Sequence, residues 1–281
     1  MIDLHTHSLC SDGTDTPARV VELAAAAGCS AVALTDHDTL SGLPAAADRA
    51  RELDLELVPG CEVACAYRER SAHVLVYFVG EGDGPFQEEL VALRADRVTR
   101  NHRLADRLRA LGIPITYEEI VAEAAGEESA GRPHVASLLV RLGKAESIPD
   151  AFDRWLAEGR PAYVPKARVS PAEVARSAAA SGGVAVLAHP LTLELSPEEL
   201  DDAVAELAGH GFGGIEAYYG RYDPEQRSAL AELARRHGLV PTGGSDYHGT
   251  VKEGLRVGTG EGDLAVPDDV LDELAARRSA A

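Results

Sequence analysis

The chain has 281 residues, 45% of them apolar and 26% charged, an ordinary globular composition that suits one large domain or a domain carrying an insertion. Its formal charge of −19 argues against a broad electrostatic grip on a nucleic-acid backbone, so a phosphate-bearing ligand must meet local positive charge, from metal ions or a few placed Lys and Arg side chains. No apolar run approaches the ~20 residues of a membrane span, and the N-terminus has neither a basic stretch nor an apolar signal core, which points to a cytoplasmic chain in which Cys10, Cys29, Cys61 and Cys65 stay reduced.

In chain order, Ile2–His5 reads as a first strand. Thr16-Pro17 opens a helix, with Thr as the cap and Pro at the first position, and Gly28 closes it. Ala31–Thr35 is a second strand ending in Asp36-His37-Asp38. A helix over Gly42–Leu53 leads to strand Leu55–Val58 and a turn at Pro59-Gly60-Cys61-Glu62. Ala72–Val79 is a fourth strand, with His73 at its start. From Pro85 to Ala162 the periodicity is helical, with segments at Leu90–Leu111, Tyr117–Ala125, Pro133–Leu142 and Asp150–Glu158. Strand and helix then alternate again: helix Pro171–Ser181, strand Val184–Ala188, a helix from Pro197, strand Gly214–Tyr218, helix Pro224–His237 and strand Leu239–Thr242. The expected architecture is therefore α/β, a barrel-like fold of seven strands in two parts, 1–84 and 163–281, interrupted by a helical insertion over 85–162.

The chemistry-bearing residues share one position in this pattern. His5 and His7 lie two apart, and so on one face of an extended segment. Asp36 and His37, Glu62, His189, and Asp246 with His248 each fall at or just past the end of a separate strand. His73, at the start of its run, is the exception. In barrel folds such ends gather on one rim. Imidazole with carboxylate and no thiolate suits Mn²⁺, Fe²⁺ or Zn²⁺, and the set exceeds the three or so protein ligands of a single catalytic ion. Two or three divalent ions follow, a number that fits hydrolysis of a phosphate ester by a metal-bound hydroxide. His102, His210 and His237 fall in or at the ends of helices and are read as ordinary surface residues.

His5-Thr-His7-Ser with Ser11-Asp12-Gly13, Thr35-Asp36-His37-Asp38, Gly60-x-Glu62, His73, His189-Pro190 and Gly244-Ser245-Asp246-Tyr247-His248 resemble the PHP (polymerase and histidinol phosphatase) family over about 1–80 and 165–260. The resemblance implies a distorted seven-stranded (β/α) barrel with a trinuclear site, manganese first and iron or zinc as alternatives. It also implies a grouping of ligands. One ion takes His5, His7, Glu62 and Asp246; a second shares Glu62 and adds His73 and His189; a third takes Asp12, His37 and His248.

Gly131-Arg132-Pro133-His134 and Tyr163-Val164-Pro165-Lys166 resemble the branch of small PHP phosphoesterases with a helical insertion, which implies that Arg132, His134 and Lys166 meet the substrate phosphate. Independently, a guanidinium forks onto phosphate oxygens, and a helix start favours anions. The expected activity is hydrolysis of a phosphomonoester of a small nucleotide, such as the 3′-phosphate of a 3′,5′-bisphosphate, with two side chains, Asp36 or His189, or else a metal-bound water, as candidates to assist the leaving group. The alternatives are 5′-to-3′ exonuclease action on short RNA, a histidinol-phosphate phosphatase, and a non-catalytic PHP module. The expected partners are a small phosphorylated substrate, with no long nucleic acid and no membrane, for a monomer or small homo-oligomer.

Overall fold

The structure is a computed structural model that describes residues 1–124, 130–165 and 169–278. The chain divides into two compact units, Met1–Glu89 with Arg168–Ala281, and Leu90–Ala167.

The first unit is a distorted seven-stranded (β/α) barrel whose strands stand in chain order: β1 (Ile2–Asp3), β2 (Ala31–Leu34), β3 (Glu56–Tyr67), β4 (Arg70–Tyr77), β5 (Val184–Leu187), β6 (Gly214–Tyr219) and β7 (Val240–Gly244). Pairing is parallel except at β4, which runs antiparallel to both β3 and β5. Main-chain hydrogen bonds from Leu4 N to Gly243 O (3.1 Å), from His7 N to Tyr247 O (2.9 Å) and from Asp246 N to His5 O (2.8 Å) draw β7 toward β1 and nearly close the barrel.

Local sequence sets the helices between these strands. Helix α1 (Pro17–Ala26) starts where the Thr16 side chain accepts the Arg19 N–H. The same device recurs as Ser170-Pro-x-Glu173, Ser196-Pro-x-Glu199 and Asp223-Pro-x-Gln226, which open α7 (Pro171–Ala180), α8 (Pro197–Gly209) and α9 (Pro224–Arg236). In each, the cap side chain accepts the third residue's N–H and that residue's side chain accepts the cap N–H, so two otherwise unpaired donors are satisfied reciprocally. Each helix turns an apolar stripe inward, as α8 does with Leu200, Ala203, Val204 and Leu207. Inside the barrel Ile2, Leu4, Leu75, Tyr77, Val186 and Val240 form a core that Val266, Val270 and Leu274 extend. Each fully buried side chain of this size contributes roughly 1.5–3 kcal/mol.

Two sequence expectations need correction. The turn placed at Pro59–Glu62 is strand: β3 runs unbroken for 12 residues. Its first four residues pair with β2, ending at Pro59 opposite Leu34, and Gly60–Tyr67 pair with β4. Pro59, which has no N–H to give, sits where the ladder changes partner. Gly60 follows because a Cβ there would stand 2.9 Å from the Val76 carbonyl oxygen. The turn comes at Arg68-Glu69, both with positive φ (44° and 70°). Second, His73 is no exception to the strand-end rule. Because β4 is reversed, its N-terminal part lies at the end where the parallel strands have their C-termini, and His73 O accepts the Ala188 N–H at 3.1 Å, beside His189.

Among its described residues the second unit has helices joined by turns and loops, and no strand. It contains most of α3 (Pro85–Ala110), then α4 (Tyr117–Glu123), α5 (Arg132–Arg141) and α6 (Ile148–Ala151), which passes into one π-helical turn at Phe152–Leu156. Its own core includes Leu104, Leu108, Ile113, Ile120, Leu138, Leu139 and Leu156. The unit begins at Leu90 rather than at Pro85, because the first turn of α3 belongs to the barrel: Phe86 is fully buried and its N–H donates to Ser181 Oγ at 3.1 Å. Two helices of the first unit remain: α2 (Leu43–Glu52), between β2 and β3, and α10 (Asp269–Ala275), which returns to the barrel core. Among the described residues no helix is long and apolar enough to cross a membrane.

Candidate metal centre

The rim formed by the strand ends brings nine predicted residues together: His5, His7, Asp12, His37, Glu62, His73, His189, Asp246 and His248. The tightest group is His5, His7, Glu62 and Asp246, all buried. His5 Nε2 lies 3.0 Å from His7 Nε2, 3.3 Å from Glu62 Oε2 and 3.4 Å from Asp246 Oδ1; His7 Nε2 lies 3.1 and 3.4 Å from the same two oxygens. Four ligands held tetrahedrally at metal–ligand distances of about 2.0–2.1 Å stand roughly 3.3–3.4 Å apart. The observed separations match that spacing, so these side chains fit a common divalent ion.

Glu62 faces two ways. While Oε2 serves the group just described and lies 3.2 Å from His37 Nδ1, Oε1 lies 2.9 Å from His73 Nδ1 and 3.0 Å from His189 Nε2. A third set lies around Asp12, whose oxygens are 3.2 Å from His248 Nε2 and 3.7 Å from His37 Nε2. His37 therefore stands between the second and third sets, and His7 also reaches the third, with Nδ1 3.9 Å from Asp12 Oδ1.

Hydrogen bonds behind the rings aim them. His5 Nδ1 pairs with Glu216 Oε1 at 2.8 Å, His248 Nδ1 donates to the Asp246 carbonyl at 2.8 Å, and His189 Nδ1 lies 3.0 Å from Thr192 Oγ1. Each contact leaves Nε2 turned to the cluster, as metal-ligating imidazoles require. His7 Nδ1, Asp246 Oδ1 and His248 Nε2 are buried yet make no hydrogen bond. Burying an unsatisfied polar atom is costly, and a cation among these atoms removes that cost. The backbone is bent to suit: His189 and Asp246 have φ of 27° and 55°, a strained region for non-glycine residues that clusters at functional sites.

The electrostatics agree. Burial alone works against a charged His5, but the Glu216, Asp246 and Glu62 carboxylates outweigh it and hold its pKa well above the ordinary imidazole value. Burial also works against a charged His7, but the Asp246 and Glu62 carboxylates beside it outweigh burial and raise its pKa to about 9. Burial works against the ionised Glu62, Asp246 and Asp12 carboxylates, yet the surrounding imidazoles, with Lys252 beside Asp246, hold all three below the usual carboxylate range. His37 is pushed down to about 3 by burial. The cluster thus retains positive charge among three ionised carboxylates, a place a divalent ion takes with release of protons.

Beside the cluster lies a cleft of about 270 Å³ lined by His37, Glu62, His73, His189, Tyr219, Asp246 and Lys252, with Ser71, Ala72 and Thr192. Asp36, one of the two expected proton donors, does not line it. Its carboxylate accepts the Ser8 N–H (2.7 Å), Ser8 Oγ (2.6 Å) and Ser11 Oγ (2.6 Å), which fasten the loop leading to Asp12.

The sequence reading missed Glu216, Tyr219 and Lys252. Glu216 is fully buried on β6; besides His5 it accepts the His189 N–H at 2.7 Å. A lone carboxylate in the apolar run Gly214–Tyr219 was the available signal, since a buried charge needs partners. Tyr219 donates to Asp246 Oδ2 at 2.7 Å, and Lys252 Nζ bonds the same oxygen.

Two of the three expected phosphate contacts fall in the described part of the insertion. Arg132 and His134 occupy the first turn of α5, where Arg132 stacks over Phe152 at 5.6 Å and His134 Nδ1 accepts the Gly131 N–H at 3.2 Å. Lys166 lies outside the described residues.

Comparison with known proteins points the same way. The profile of the PHP domain matches residues 3–110. A 5′-3′ exoribonuclease of Salmonella typhimurium is 34% identical over 248 residues, 88% of this chain and 84% of the relative. The 3′,5′-nucleoside bisphosphate phosphatase of Chromobacterium violaceum is 30% identical over 98% of this chain and 97% of its own length. A solved chain from Bifidobacterium adolescentis, provisionally named a metal-dependent phosphoesterase, superposes with a TM-score of 0.83 at 34% identity, covering 99% of this chain and 96% of that one.

Proposed function

Because the chain belongs to the PHP family and is a metal-dependent phosphoesterase, we propose that it hydrolyses a phosphomonoester of a small nucleotide, such as the 3′-phosphate of a 3′,5′-bisphosphate. The single observation that carries this reading is the set of ligand separations of 3.0–3.4 Å among His5, His7, Glu62 and Asp246, beside a cleft large enough for a phosphoryl group and part of its sugar. We assign His5, His7, Glu62 and Asp246 to one ion, Glu62, His73 and His189 to a second, and Asp12, His37 and His248 to a third, with manganese as the first choice of metal.

Bound divalent ions supply Lewis acidity, lowering the pKa of water toward neutrality and offsetting charge on phosphoryl oxygens. The protein provides the frame. Glu62 ties the sets of ligands together, and the Glu216, Asp246 carbonyl and Thr192 contacts hold the ring nitrogens in place. Divalent ions held here would bring local positive charge to a chain that is otherwise strongly acidic, which favours a phosphate at the cleft. Of the two side chains considered as proton donors, only His189 lines the cleft, and there Thr192 holds its Nδ1 while its Nε2 faces Glu62 and the second group of ligands, so we assign it as a ligand rather than as the acid. Asp36 serves to position the Asp12 loop. The resemblance of the Gly131-Arg132-Pro133-His134 and Tyr163-Val164-Pro165-Lys166 segments to the small PHP phosphoesterases supports assigning Arg132, His134 and Lys166 to the substrate phosphate.

A second reading, removal of nucleotides from short RNA ends, is favoured by the 34% identity to the Salmonella exoribonuclease. Cytoplasmic residence suits four cysteines that form no disulfide. The test is a phosphate-release screen of manganese-loaded protein against 3′,5′-bisphosphates, mononucleotides, histidinol phosphate and short 5′-phosphorylated RNA. The bisphosphate should lead; mononucleotide release from RNA without phosphate release from a bisphosphate would transfer the assignment to the second reading. Asp246→Ala and His7→Ala should abolish turnover and lower metal content.

A further inference from the structure

Among the described residues lining the cleft beside the metal cluster, Lys252 is the one lysine or arginine. Its ammonium bonds Asp246 Oδ2, the oxygen that also accepts the Tyr219 hydroxyl, while Asp246 Oδ1 faces His5 and His7 at 3.4 Å. Asp246 thus presents one oxygen to the metal group and the other to a cation at the cleft wall. About a third of the Lys252 side chain is exposed, whereas Asp246 is buried.

The segment carrying Lys252 is tied down on both sides. Thr250 N donates to Thr14 Oγ1 at 3.1 Å, and the Arg221 guanidinium donates to the Glu253 carbonyl at 3.3 Å. An ammonium has three N–H donors on a flexible stem. One bond to Asp246 leaves two for an anion in the cleft, so Lys252 need not break its ion pair to engage a ligand.

We propose that Lys252 binds a non-bridging oxygen of the phosphoryl group seated in this cleft, giving the barrel its own side-chain anion contact. The inference rests on the phosphomonoesterase reading for the identity of the ligand. It makes Lys252 a substrate-binding residue, and its ion pair with Asp246 a tether that keeps the ammonium aimed at the cleft. A charge-assisted contact of this kind is worth roughly 10-fold to 100-fold in anion affinity.

The probe is inorganic phosphate, titrated by calorimetry into manganese-loaded wild type, Lys252→Met and Lys252→Arg, with bound manganese counted in each. Lys252→Met should keep the wild-type manganese content and bind phosphate about 10-fold to 100-fold more weakly; Lys252→Arg should recover most of that loss. Unchanged phosphate affinity in Lys252→Met overturns the proposal. So does loss of phosphate binding only in step with loss of manganese, which would reduce Lys252 to a support for Asp246. If Lys252→Met does not fold, the Lys252→Arg variant decides, since phosphate binding lost with full manganese retention there contradicts a charge contact. Failure of the wild-type protein to release phosphate from any ester would overturn the activity reading instead, leaving the phosphate titration to stand by itself.

Discussion

Glu216 on β6 holds His5, 211 residues earlier, through a 2.8 Å contact between Oε1 and Nδ1, and its other oxygen accepts the main-chain N–H of His189 at 2.7 Å. One buried carboxylate thereby fixes the tautomer and direction of one ligand and the backbone of another. Partners of this kind behind a ligating imidazole typically contribute 10–100-fold to metal affinity. Glu216→Gln preserves shape but weakens both bonds, so the variant should remain folded and lose roughly 10–100-fold in manganese affinity. Calorimetric titration of the metal-free protein measures this directly. Wild-type affinity in the variant would mean that His5 needs no partner.

Asp36 gives a prediction of a different kind, because its three serine contacts fasten a loop rather than a ring. Asp36→Ala leaves the Ser8 N–H buried without its acceptor, at a cost of about 1–3 kcal/mol for the unsatisfied group. The loop carrying Asp12 then loosens, while His5, His7, Glu62 and Asp246 keep their own supports. Bound metal should fall by about one ion per chain, counted by elemental analysis after dialysis. Retention of the full complement would show that Asp12 is positioned by other means.

The histidines were legible because strand ends in a barrel converge whatever the side chains are, so position in the βα alternation carried most of the argument for His5, His7, His189 and His248. Glu62 was recognisable by its motif but not by its setting, since Pro59-Gly60 suggests a turn and only the exchange of partners from β2 to β4 allows a proline inside a strand. Asp36 shares its strand-end position with His37, which does not tell their roles apart. Adjacent residues in extended chain point to opposite faces, so His37 reaches the cluster and Asp36 the loop. Tyr219 and Lys252 left no trace in sequence, because their common partner Asp246 is brought to them by the fold alone.

Gly244, the last residue of β7, shows how closely the strands are drawn together at the cluster. A Cβ at this position would stand 2.3 Å from His5 N and 2.4 Å from His5 Cβ. Backbone cannot yield as a flexible side chain does, and overpacking of this sort costs typically 1–3 kcal/mol, sometimes more. Gly244→Ala should therefore lower the midpoint of denaturant unfolding and, by displacing His5, reduce metal affinity as well. The paired readout matters: a loss of stability with unchanged metal binding would show that the strain relaxes away from the site.

Tyr67 is one of several phenols raised by burial that contribute to the alkaline pH dependence of stability. Burial, followed by the hydrogen bond its hydroxyl donates to Glu206 (2.8 Å) and the charge of that carboxylate, pushes its pKa up to about 12 from an ordinary value near 10. In the unfolded chain the phenol ionises freely near pH 10. The folded-state pKa is the higher of the two, so the contribution of Tyr67 is fully present below pH 10 and is lost as pH rises through 12. Its size is up to about 2 kcal/mol, since the partner Glu206 is partly solvated. Tyr67→Phe removes this titration while leaving Tyr77 and Tyr222, whose phenols are also raised by burial, to act equally in both proteins. Urea unfolding at pH 8, 10, 11 and 11.5 should show wild type ahead of the variant by about 1 kcal/mol at pH 8, the net worth of the hydrogen bond. That advantage should shrink toward pH 11.5. Parallel curves would mean that the Tyr67 hydroxyl ionises as readily in the folded chain as in the unfolded one.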